Sequence, residues 1–423
     1  MKLWKLRKNN YLTYNLLQTN YNITNQNENK ILHFCFSCLF DFPLHISFNM
    51  RSLKKLSLFV VFMSQCVFMQ AQESAKKDSV LDTSSRTFLM IPLVTNSPAI
   101  ETGFGGLGMY FFNINKKDTI SPPSLISLYA IYSTNKSYII APFGRFFWNE
   151  DRNRGSMAFG TMRVNNDFNY DEQGNDLHLV FSEIRNFVTL EYSRKIINDF
   201  YLGILYLGTK TKYKFDQGTQ VENDFTREFF QQNGIEDNFV SSLGLNFSFD
   251  NRDYVYYPTR GFTFSIRPKL NADWLGSDND YVDTDYKFSY FYSIKDNQIL
   301  ATNVSGGFAF GDVPFDGYQN YGVRNSLRGY EVGKYKGKHM VAFQAEYRWR
   351  FYRKWGAVFF GGTGSVWGNN NNGEEEFERD MLPSGGLGLR FMISEAKNIN
   401  LRLDYALGVD GNQGFYFGVM EAF

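Results

Sequence analysis

The chain has 423 residues, of which 44 are basic and 43 acidic, so its formal net charge is close to zero and we expect no nucleic-acid partner. A mean hydropathy of −0.35 argues against a bundle of membrane-spanning helices, whereas 18% aromatic residues exceed the content of an ordinary soluble domain. A membrane-spanning β-barrel reconciles the two values, because its strands place apolar side chains toward lipid and polar ones toward the lumen.

The start of the chain is interpreted as a targeting region. Residues 1–49 show no sustained period, and we interpret them as upstream sequence that precedes a true start at Met50. Residues 50–72 have the basic start, the short apolar stretch and the cleavable end of a secretory signal peptide. Residues 73–85 then form a short periplasmic linker, and residues 86–423 remain for an outer-membrane β-barrel.

All three cysteines fall in this early region, at Cys35, Cys38 and Cys66. The mature chain is therefore expected to contain no cysteine. Neither a disulfide framework nor a thiolate metal site is then available, and we expect no metal and no cofactor.

From residue 86 onward the side chains alternate with a period of two, and no amphipathic helix is expected. Phe262, Phe264 and Ile266 point one way, while Arg267 and Lys269 point the other. The pattern predicts an all-β fold, a transmembrane 16-stranded antiparallel β-barrel. The predicted strands are 86–94, 101–113, 124–134, 137–149, 155–167, 184–197, 200–215, 238–250, 260–272, 283–295, 298–311, 339–352, 355–368, 384–394, 398–409 and 414–423.

The lengths of the connections predict which end of the barrel faces the periplasm. With both ends of the barrel in the periplasm, the tight turns fall inside and the long loops outside, as in known outer-membrane barrels. The short inner connections are 198–199, 296–297, 353–354 and 395–397. The long outer connections are 168–183, 216–237, 312–338 and 369–383.

The outer connection 312–338 contains the tetrapeptide Leu327, Arg328, Gly329 and Tyr330. It resembles the (V/I/L)-R-G-(F/Y) signature in the sixth extracellular loop of the BamA/TamA superfamily of outer-membrane insertases and translocases. The resemblance implies that this loop inserts into the barrel, where its arginine pairs with an acid on the twelfth strand.

By alternation, Glu346 points into the lumen and supplies that acid. The family has a second acid on the thirteenth strand, where this chain has Gly362. Either the latch formed by Arg328 and Glu346 is weaker here, or Arg328 takes another acceptor.

A second motif lies in the periplasmic turn at 250–261. Asp250, Arg252, Tyr257, Pro258 and Gly261 are similar to the D-x-R-(D/N)-x(3)-(Y/F)-P-(T/S)-(K/R)-G turn of the same superfamily. Proline and glycine also have a local reason to occur there, because they favour a turn between two strands.

The last residues alternate aromatic side chains, with Phe415 and Phe417 followed by a final Phe423. They resemble the C-terminal targeting strand that outer-membrane barrels present to the barrel assembly machinery. Together with the signal peptide, this predicts a location in the outer membrane of a Gram-negative bacterium.

The resemblance implies a barrel that assists protein insertion or translocation across the outer membrane. Members with those activities carry periplasmic POTRA domains, and the linker 73–85 is too short for one, so in this respect we expect the chain to depart from the family. Its partners would be outer-membrane lipid, the assembly machinery during biogenesis, and a periplasmic or secreted client protein. The alternatives are a passive channel or uptake pore, or an accessory structural barrel. An outer-membrane hydrolase is a third class, but only His178 and His339 remain in the mature chain, and no serine nucleophile arrangement is visible. We therefore expect no enzyme activity.

Overall fold

In a computed structural model of the chain, the described residues are 87–97, 101–172, 175–232, 234–314, 317–320, 327–330, 335–368, 381–395, 397–409 and 411–423. The expectations for 1–49, 50–72 and 73–85 lie outside them.

Sixteen antiparallel strands form one sheet in which each strand is bonded to its neighbours in chain order. They are β1 Thr87–Ser97, β2 Glu101–Phe112, β3 Ser124–Ser133, β4 Tyr138–Trp148, β5 Asn153–Glu172, β6 Asn175–Ile197, β7 Phe200–Lys214, β8 Asn238–Asp250, β9 Gly261–Asn271, β10 Tyr281–Lys295, β11 Gln298–Gly311, β14 His339–Tyr352, β15 Trp355–Trp367, β16 Leu382–Ser394, β17 Ile399–Leu407 and β18 Gln413–Val419. Two short strands, β12 Gln319–Asn320 and β13 Lys336–Gly337, form a separate pair.

The predicted fold class is confirmed, and each predicted strand has an observed counterpart. The strand ends that border the connections 215–237, 272–280, 312–338 and 368–381 lie at one end of the barrel, here called the long-loop end. The opposite end, here called the short-turn end, contains the connections 113–123, 149–152, 198–199, 251–260, 296–297, 353–354 and 395–398.

The prediction of a long loop at 168–183 was wrong. β5 continues to Glu172 and β6 begins at Asn175, with an unbroken register from Asn165 opposite Ser182 up to the tip. The sequence signal fails there because the hairpin extends beyond the membrane. A strand with water on both faces has no reason to alternate apolar and polar residues.

A helix that the sequence analysis did not predict, α1 Gln220–Gln232, occupies the connection between β7 and β8. Its start is a capping box: the Thr219 N–H donates to Glu222 Oε2 at 2.7 Å, and the Glu222 N–H donates to Thr219 Oγ1 at 3.4 Å. Phe230 is 3% exposed and packs edge-on against Phe181, with 4.8 Å between the ring centroids. No helix in the described ranges is long and apolar enough to cross a membrane.

His178 connects α1 to the extended β5–β6 hairpin. Its Nε2 lies 2.6 Å from Asp167 Oδ1, and its Nδ1 lies 3.3 Å from Glu222 Oε1. A neutral imidazole has a single N–H, so only the imidazolium donates to both carboxylates. The hydrogen bond with Asp167 outweighs partial burial and raises the pKa of His178 above its ordinary value.

We expect α1 to be held more firmly at low pH than at high pH. Because the pKa of His178 is raised by folding, the stabilisation is complete below the ordinary histidine pKa and is lost as pH rises through the raised one. Hydrogen exchange of the α1 amides, corrected for intrinsic rates, should increase across that window by less than about tenfold, since the site is exposed. The His178→Gln variant should show no such step; an identical step in that variant would contradict the assignment.

The inner face of the first strands departs from the predicted polar lumen. Ile91, Leu93, Met109 and Phe111 are at most 7% exposed and join a single apolar cluster. Tyr256, from the turn between β8 and β9, enters the same cluster and packs edge-on against Phe111 at 5.6 Å. The lumen at the short-turn end is thus partly filled by hydrophobic side chains.

Backbone hydrogen bonds do not close the sheet into a complete cylinder in the described residues. The two end strands of the sheet, β1 and β18, are in contact. Within the described residues, however, no ladder of backbone hydrogen bonds joins them, although every other neighbouring pair has one. We call this line of contact the seam.

Candidate functional site

The tetrapeptide at 327–330 lies inside the barrel. Leu327 and Arg328 are fully buried and Tyr330 is 2% exposed. Leu327 and Tyr330 pack with Met340, Ala342 and Leu382 from the barrel wall. The described part of the sixth outer loop therefore folds back into the lumen, as the resemblance implied.

Arg328 uses its whole guanidinium group. Nη2 lies 2.5 Å from Glu346 Oε1, Nη1 lies 2.6 Å from Asp404 Oδ2, and Nε donates to Gln344 Oε1 at 3.2 Å. The face of the group lies 3.6 Å from the centre of the Phe360 ring, which is a cation–π contact. The structure thus places Arg328 and Glu346 together and adds three further partners.

Gly329 is required by both conformation and space. Its φ of +105° lies in the region that L side chains avoid. A Cβ there would lie 2.8 Å from the Leu407 carbonyl oxygen on β17. The Gly329 N–H donates to the Tyr416 hydroxyl at 2.9 Å, and the Tyr330 hydroxyl donates to the Pro383 carbonyl at 2.5 Å. The loop tip is therefore fixed to β16, β17 and β18.

The second acid is present, but on a different strand from the one expected. Gly362 lies opposite Gln344 on β14, and a Cβ at Gly362 would lie 2.3 Å from the Phe343 carbonyl oxygen. No acidic side chain fits there without a shift of the backbone. Asp404 on β17 takes the role instead, so the alternative that Arg328 finds another acceptor is the one observed.

Six buried side chains form a closed ring in which each cation lies between two carboxylates. None of them is more than 4% exposed. We call it the charge ring; its order is Arg328, Glu346, Arg348, Glu421, Arg390 and Asp404.

The two halves of the charge ring differ in one contact, because Arg348 lies farther from Glu421 than Arg390 does. On one side, Arg348 Nε lies 2.8 Å from Glu346 Oε2 and 3.8 Å from Glu421 Oε2. On the other, Arg390 Nε lies 2.8 Å from Glu421 Oε2, and its Nη1 lies 2.5 Å from Asp404 Oδ1. Arg328 and Glu421 are therefore opposite members, and within the described residues no ion pair joins them directly.

The end of the chain differs from the predicted terminal strand. β18 ends at Val419, and Met420 has a φ of +68° that turns the chain away from the strand direction. Phe423 is 9% exposed and packs with Phe291 and Ala301. Its carbonyl oxygen accepts from Arg348 Nη2 at 3.0 Å. We call residues 421–423 the tail; it lies in the lumen rather than along the barrel wall.

Phe415 and Phe417 do lie on β18, opposite Tyr405 and Leu403 of β17. Phe415 is 52% exposed and stacks on Tyr405 with 4.6 Å between centroids, while Phe417 is partly buried beside the apolar cluster. Of the three aromatic residues, Phe415 and Phe417 lie on the terminal strand, whereas Phe423 does not.

The turn motif is held by ion pairs. Asp250 binds Arg252 at 2.7 Å and also Arg154 of β5 at 2.7 Å. Burial opposes ionisation of Asp250, and the two guanidinium groups compensate for it. Gly261 has a φ of +94° and lies against the Asn251 carbonyl, where a Cβ would be only 2.5 Å from the oxygen.

Within the same turn, Tyr257 lies under the Arg350 guanidinium at 5.5 Å, and Pro258 is buried. Asp253 accepts from the backbone N–H groups of Thr259 and Arg260, which closes the loop. The motif therefore shapes a rigid turn that carries Tyr256 into the lumen, where its hydroxyl donates to the Pro123 carbonyl at 2.8 Å.

Sequence reasoning missed several members of these networks, among them Asp404, Arg390, Glu421, Arg154 and Tyr256. Arg390 had a usable signal, because it lies on a strand at a position of lumen-facing parity, as Arg348 and Asp404 do. Glu421 had none, since it was assigned to a straight strand. Of the two histidines that the sequence analysis considered, His178 faces two carboxylates, and the ring of His339 lies 4.9 Å from that of Phe310, centroid to centroid.

Comparison with known proteins gives a family and a fold. The Omp85 superfamily domain matches residues 133–423. No curated protein matches the chain. Among solved structures, CdiB from Acinetobacter baumannii aligns with a TM-score of 0.51 at 13% identity, covering 79% of this chain and 59% of that one. CdiB from Escherichia coli aligns with a TM-score of 0.51 at 11% identity, covering 79% and 62%.

BamA from Haemophilus ducreyi, in a form lacking POTRA domains 1–3, aligns with a TM-score of 0.49 at 15% identity, covering 80% of this chain and 70% of that one. The chain thus spans about three fifths of the two CdiB chains. At these identities the likeness to CdiB shows the fold alone.

Proposed function

The chain belongs to the Omp85 superfamily, whose domain matches residues 133–423, and on that premise we propose that it assists the insertion of proteins into the outer membrane or their translocation across it. The observation that supports this most directly is the seam. β1 and β18 touch, yet in the described ranges no hydrogen-bond ladder joins them. The edges of two strands inside a membrane are thereby left as templates for a third.

The character of β1 supports an opening at this line. Phe88 and Met90 on its outer face are 67% and 66% exposed, while Ile91 and Leu93 on its inner face are buried. A strand with apolar side chains on both faces can stay in contact with lipid and with the apolar lumen when it parts from β18. The tail contributes too, because β18 pairs with β17 only as far as Val419.

A passive pore is the less favoured function, because three segments occupy the lumen. Arg328 is fully buried inside the barrel, Tyr256 enters from the short-turn end, and Phe423 lies among lumen-facing side chains. Each is fixed by hydrogen bonds or ion pairs rather than by apolar contact alone. A steady open channel would require all three to move.

The proposed setting follows from the family and the loop lengths. The long-loop end faces the cell exterior and the short-turn end faces the periplasm of a Gram-negative bacterium. Outer-membrane lipid surrounds the barrel, the barrel assembly machinery acts during biogenesis, and a periplasmic or secreted protein is the client. Residues 50–72 would act as the signal peptide and 73–85 as the linker. No enzymatic step is proposed.

Locking the seam tests the proposal. A panel of single cysteine pairs, one in β1 and one in β18, would be oxidised in the purified protein, and the pair that forms a disulfide most completely would be kept. Vesicles containing the locked barrel should no longer accelerate the folding of an unfolded outer-membrane barrel, followed by its heat-modifiable gel mobility. Reduction should restore the acceleration.

The matched control is a disulfide away from the seam. Met90 lies opposite Gly108 on β2, and a Cβ at Gly108 meets no other atom within 4 Å, so this pair accepts cysteines on the same strand β1. The control should remain active when oxidised. Full activity of the seam-locked form would rule out opening at this line.

A further inference from the structure

At the short-turn end, an open cavity of about 760 Å³ lies between the β14–β15 turn and the β16–β17 turn. This volume is in the range of small-molecule sites. Three cations line it, Arg350, Arg353 and Lys354, against the one carboxylate of Glu395. The rest of the lining is aromatic, apolar or amide, and consists of Tyr352, Trp355, Phe391, Met392 and Asn398.

The cations are poorly neutralised by the protein. Lys354 Nζ lies 3.6 Å from Glu395 Oε1, and both side chains are largely in solvent, so the pair is weak. Arg350 and Arg353 form no ion pair within the part of the chain that the structure describes. Their guanidinium groups instead lie over the rings of Tyr257 and Tyr352, at 5.5 and 5.4 Å. These are cation–π contacts, which leave the guanidinium N–H groups available to an anion.

Behind the cavity is a recess with room for about one water-sized group, roughly 10 Å³. It shares Arg350 and Lys354 with the cavity, and its other polar lining consists of Tyr257, Arg348, Arg390, Asn400 and the carboxylate of Glu421. Arg348 and Arg390 are 3% and 4% exposed, and Arg348 Nη1 and Arg390 Nη2 have no hydrogen-bond partner among the described residues. A buried N–H without an acceptor is costly, so an oxygen from a ligand or a water is expected there.

The position of the cavity selects the kind of ligand. Trp349, Phe351, Tyr352 and Trp355 are 40–58% exposed at this end of the barrel. Such a group of aromatic side chains marks the level where a barrel passes from hydrocarbon to headgroups. Trp355 and Phe391 pack with 4.8 Å between their ring centroids and form an apolar flank beside the cations. The site therefore offers positive charge and apolar surface at headgroup depth.

We propose that this cavity binds the phosphate of an anionic phospholipid from the adjoining leaflet. The phosphate oxygens bind Arg350, Arg353 and Lys354, and one oxygen or its water reaches the recess of Arg348 and Arg390. The glycerol and the start of the acyl chains lie along Trp355 and Phe391. The proposal rests on the barrel orientation given under the proposed function, in which the short-turn end meets the periplasmic leaflet.

Lipid occupancy can be measured directly. The folded protein would be placed in nanodiscs of phosphatidylcholine that contain a minor fraction of phosphatidylglycerol, then released into a mild detergent for native mass spectrometry. The double variant Arg353→Gln/Lys354→Gln should retain phosphatidylglycerol roughly tenfold less than the natural sequence, since each cation near a membrane surface contributes measurably to anionic-lipid binding.

The matched control is Lys116→Gln/Lys117→Gln, which removes two exposed cations from the β2–β3 turn at the same end of the barrel. It should retain phosphatidylglycerol as the natural sequence does. Equal loss in both double variants would overturn the site in favour of general surface charge. Displacement of the lipid by millimolar inorganic phosphate would assign the cavity to free phosphate, and retention unchanged in the Arg353 and Lys354 variant would leave only water there.

Barrel integrity is checked by heat-modifiable mobility of each variant, so that a misfolded protein is not scored. The readout is bound lipid rather than insertion activity. A failure of this proposal is therefore distinguishable from a failure of the proposed function, which the seam-locking experiment tests.

Discussion

Replacing Arg328 by alanine should lower the free energy of unfolding by about 3–5 kcal/mol, because Glu346 and Asp404 would remain buried without the cation between them. The loss appears as a lower temperature at which the folded, fast-migrating form disappears on gels. It should also release the loop, so that protease cuts near the tetrapeptide and the variant shows larger, less steady conductance in planar bilayers.

Two substitutions calibrate that result. Arg328→Lys keeps the charge but cannot reach two carboxylates and an amide oxygen at once, so it should recover only part of the stability. Arg163→Ala removes an arginine that pairs with Asp216 at 3.0 Å in a more exposed position, and should cost about 1 kcal/mol or less. Similar losses for Arg163 and Arg328 would contradict a special role for the loop.

The barrel was predictable because the membrane enforces one rule along the whole wall. Lipid on one face and the lumen on the other give a period of two. A miscount of one strand would place every later connection at the wrong end of the barrel, so the loop lengths check the count. The rule weakens where the membrane ends. The β5–β6 extension was therefore read as a loop, and α1 was missed despite its capping box of Thr219 and Glu222.

The candidate site was predictable only in part, because its members come from strands far apart in sequence. Resemblance supplied Arg328, and alternation supplied the inward direction of Glu346. Neither the resemblance nor the alternation could show that Arg328 pairs with Asp404, 76 residues away. The family has its second acid at the position of Gly362, where a side chain does not fit in this chain. The choice of Asp404 depends on the packing of β15 against β14, where the backbone leaves no room for a side chain.

The tail was unpredictable for a different reason. A straight terminal strand satisfies the period of two through Phe423, and only the left-handed backbone at Met420 diverts it. The ion pairs of Glu421 with Arg390 and Arg348 offset the lost strand pairing. The sequence pattern near the end of the chain does not reveal whether the tail gains more from backbone hydrogen bonds along the barrel wall or from ion pairs in the lumen.

The charge ring makes a second large prediction, that the tail and the loop are energetically coupled although they do not touch. Glu421→Gln keeps the shape and the amide contact with Asn400 but removes one carboxylate from between Arg390 and Arg348. Arg390 and Arg348 should then pair more strongly with Asp404 and Glu346. Because these two acids also hold Arg328, their contacts with Arg328 should weaken. We expect faster proteolysis near the tetrapeptide in this variant, at the opposite side of the ring.

A double-mutant cycle between Arg328→Ala and Glu421→Gln measures the coupling. Members of one network should deviate from additivity by about 0.5–3 kcal/mol, whereas independent sites add to within about 0.5 kcal/mol. Glu395→Gln is the matched control, because it makes the same change in an exposed acid of the short-turn end. Additivity for Glu421 as well as for Glu395 would show that the ring is six separate pairs. Withdrawal of the tail from the lumen would free the end of β18 at the seam. A deviation from additivity would mean that the same movement also loosens the loop at 327–330.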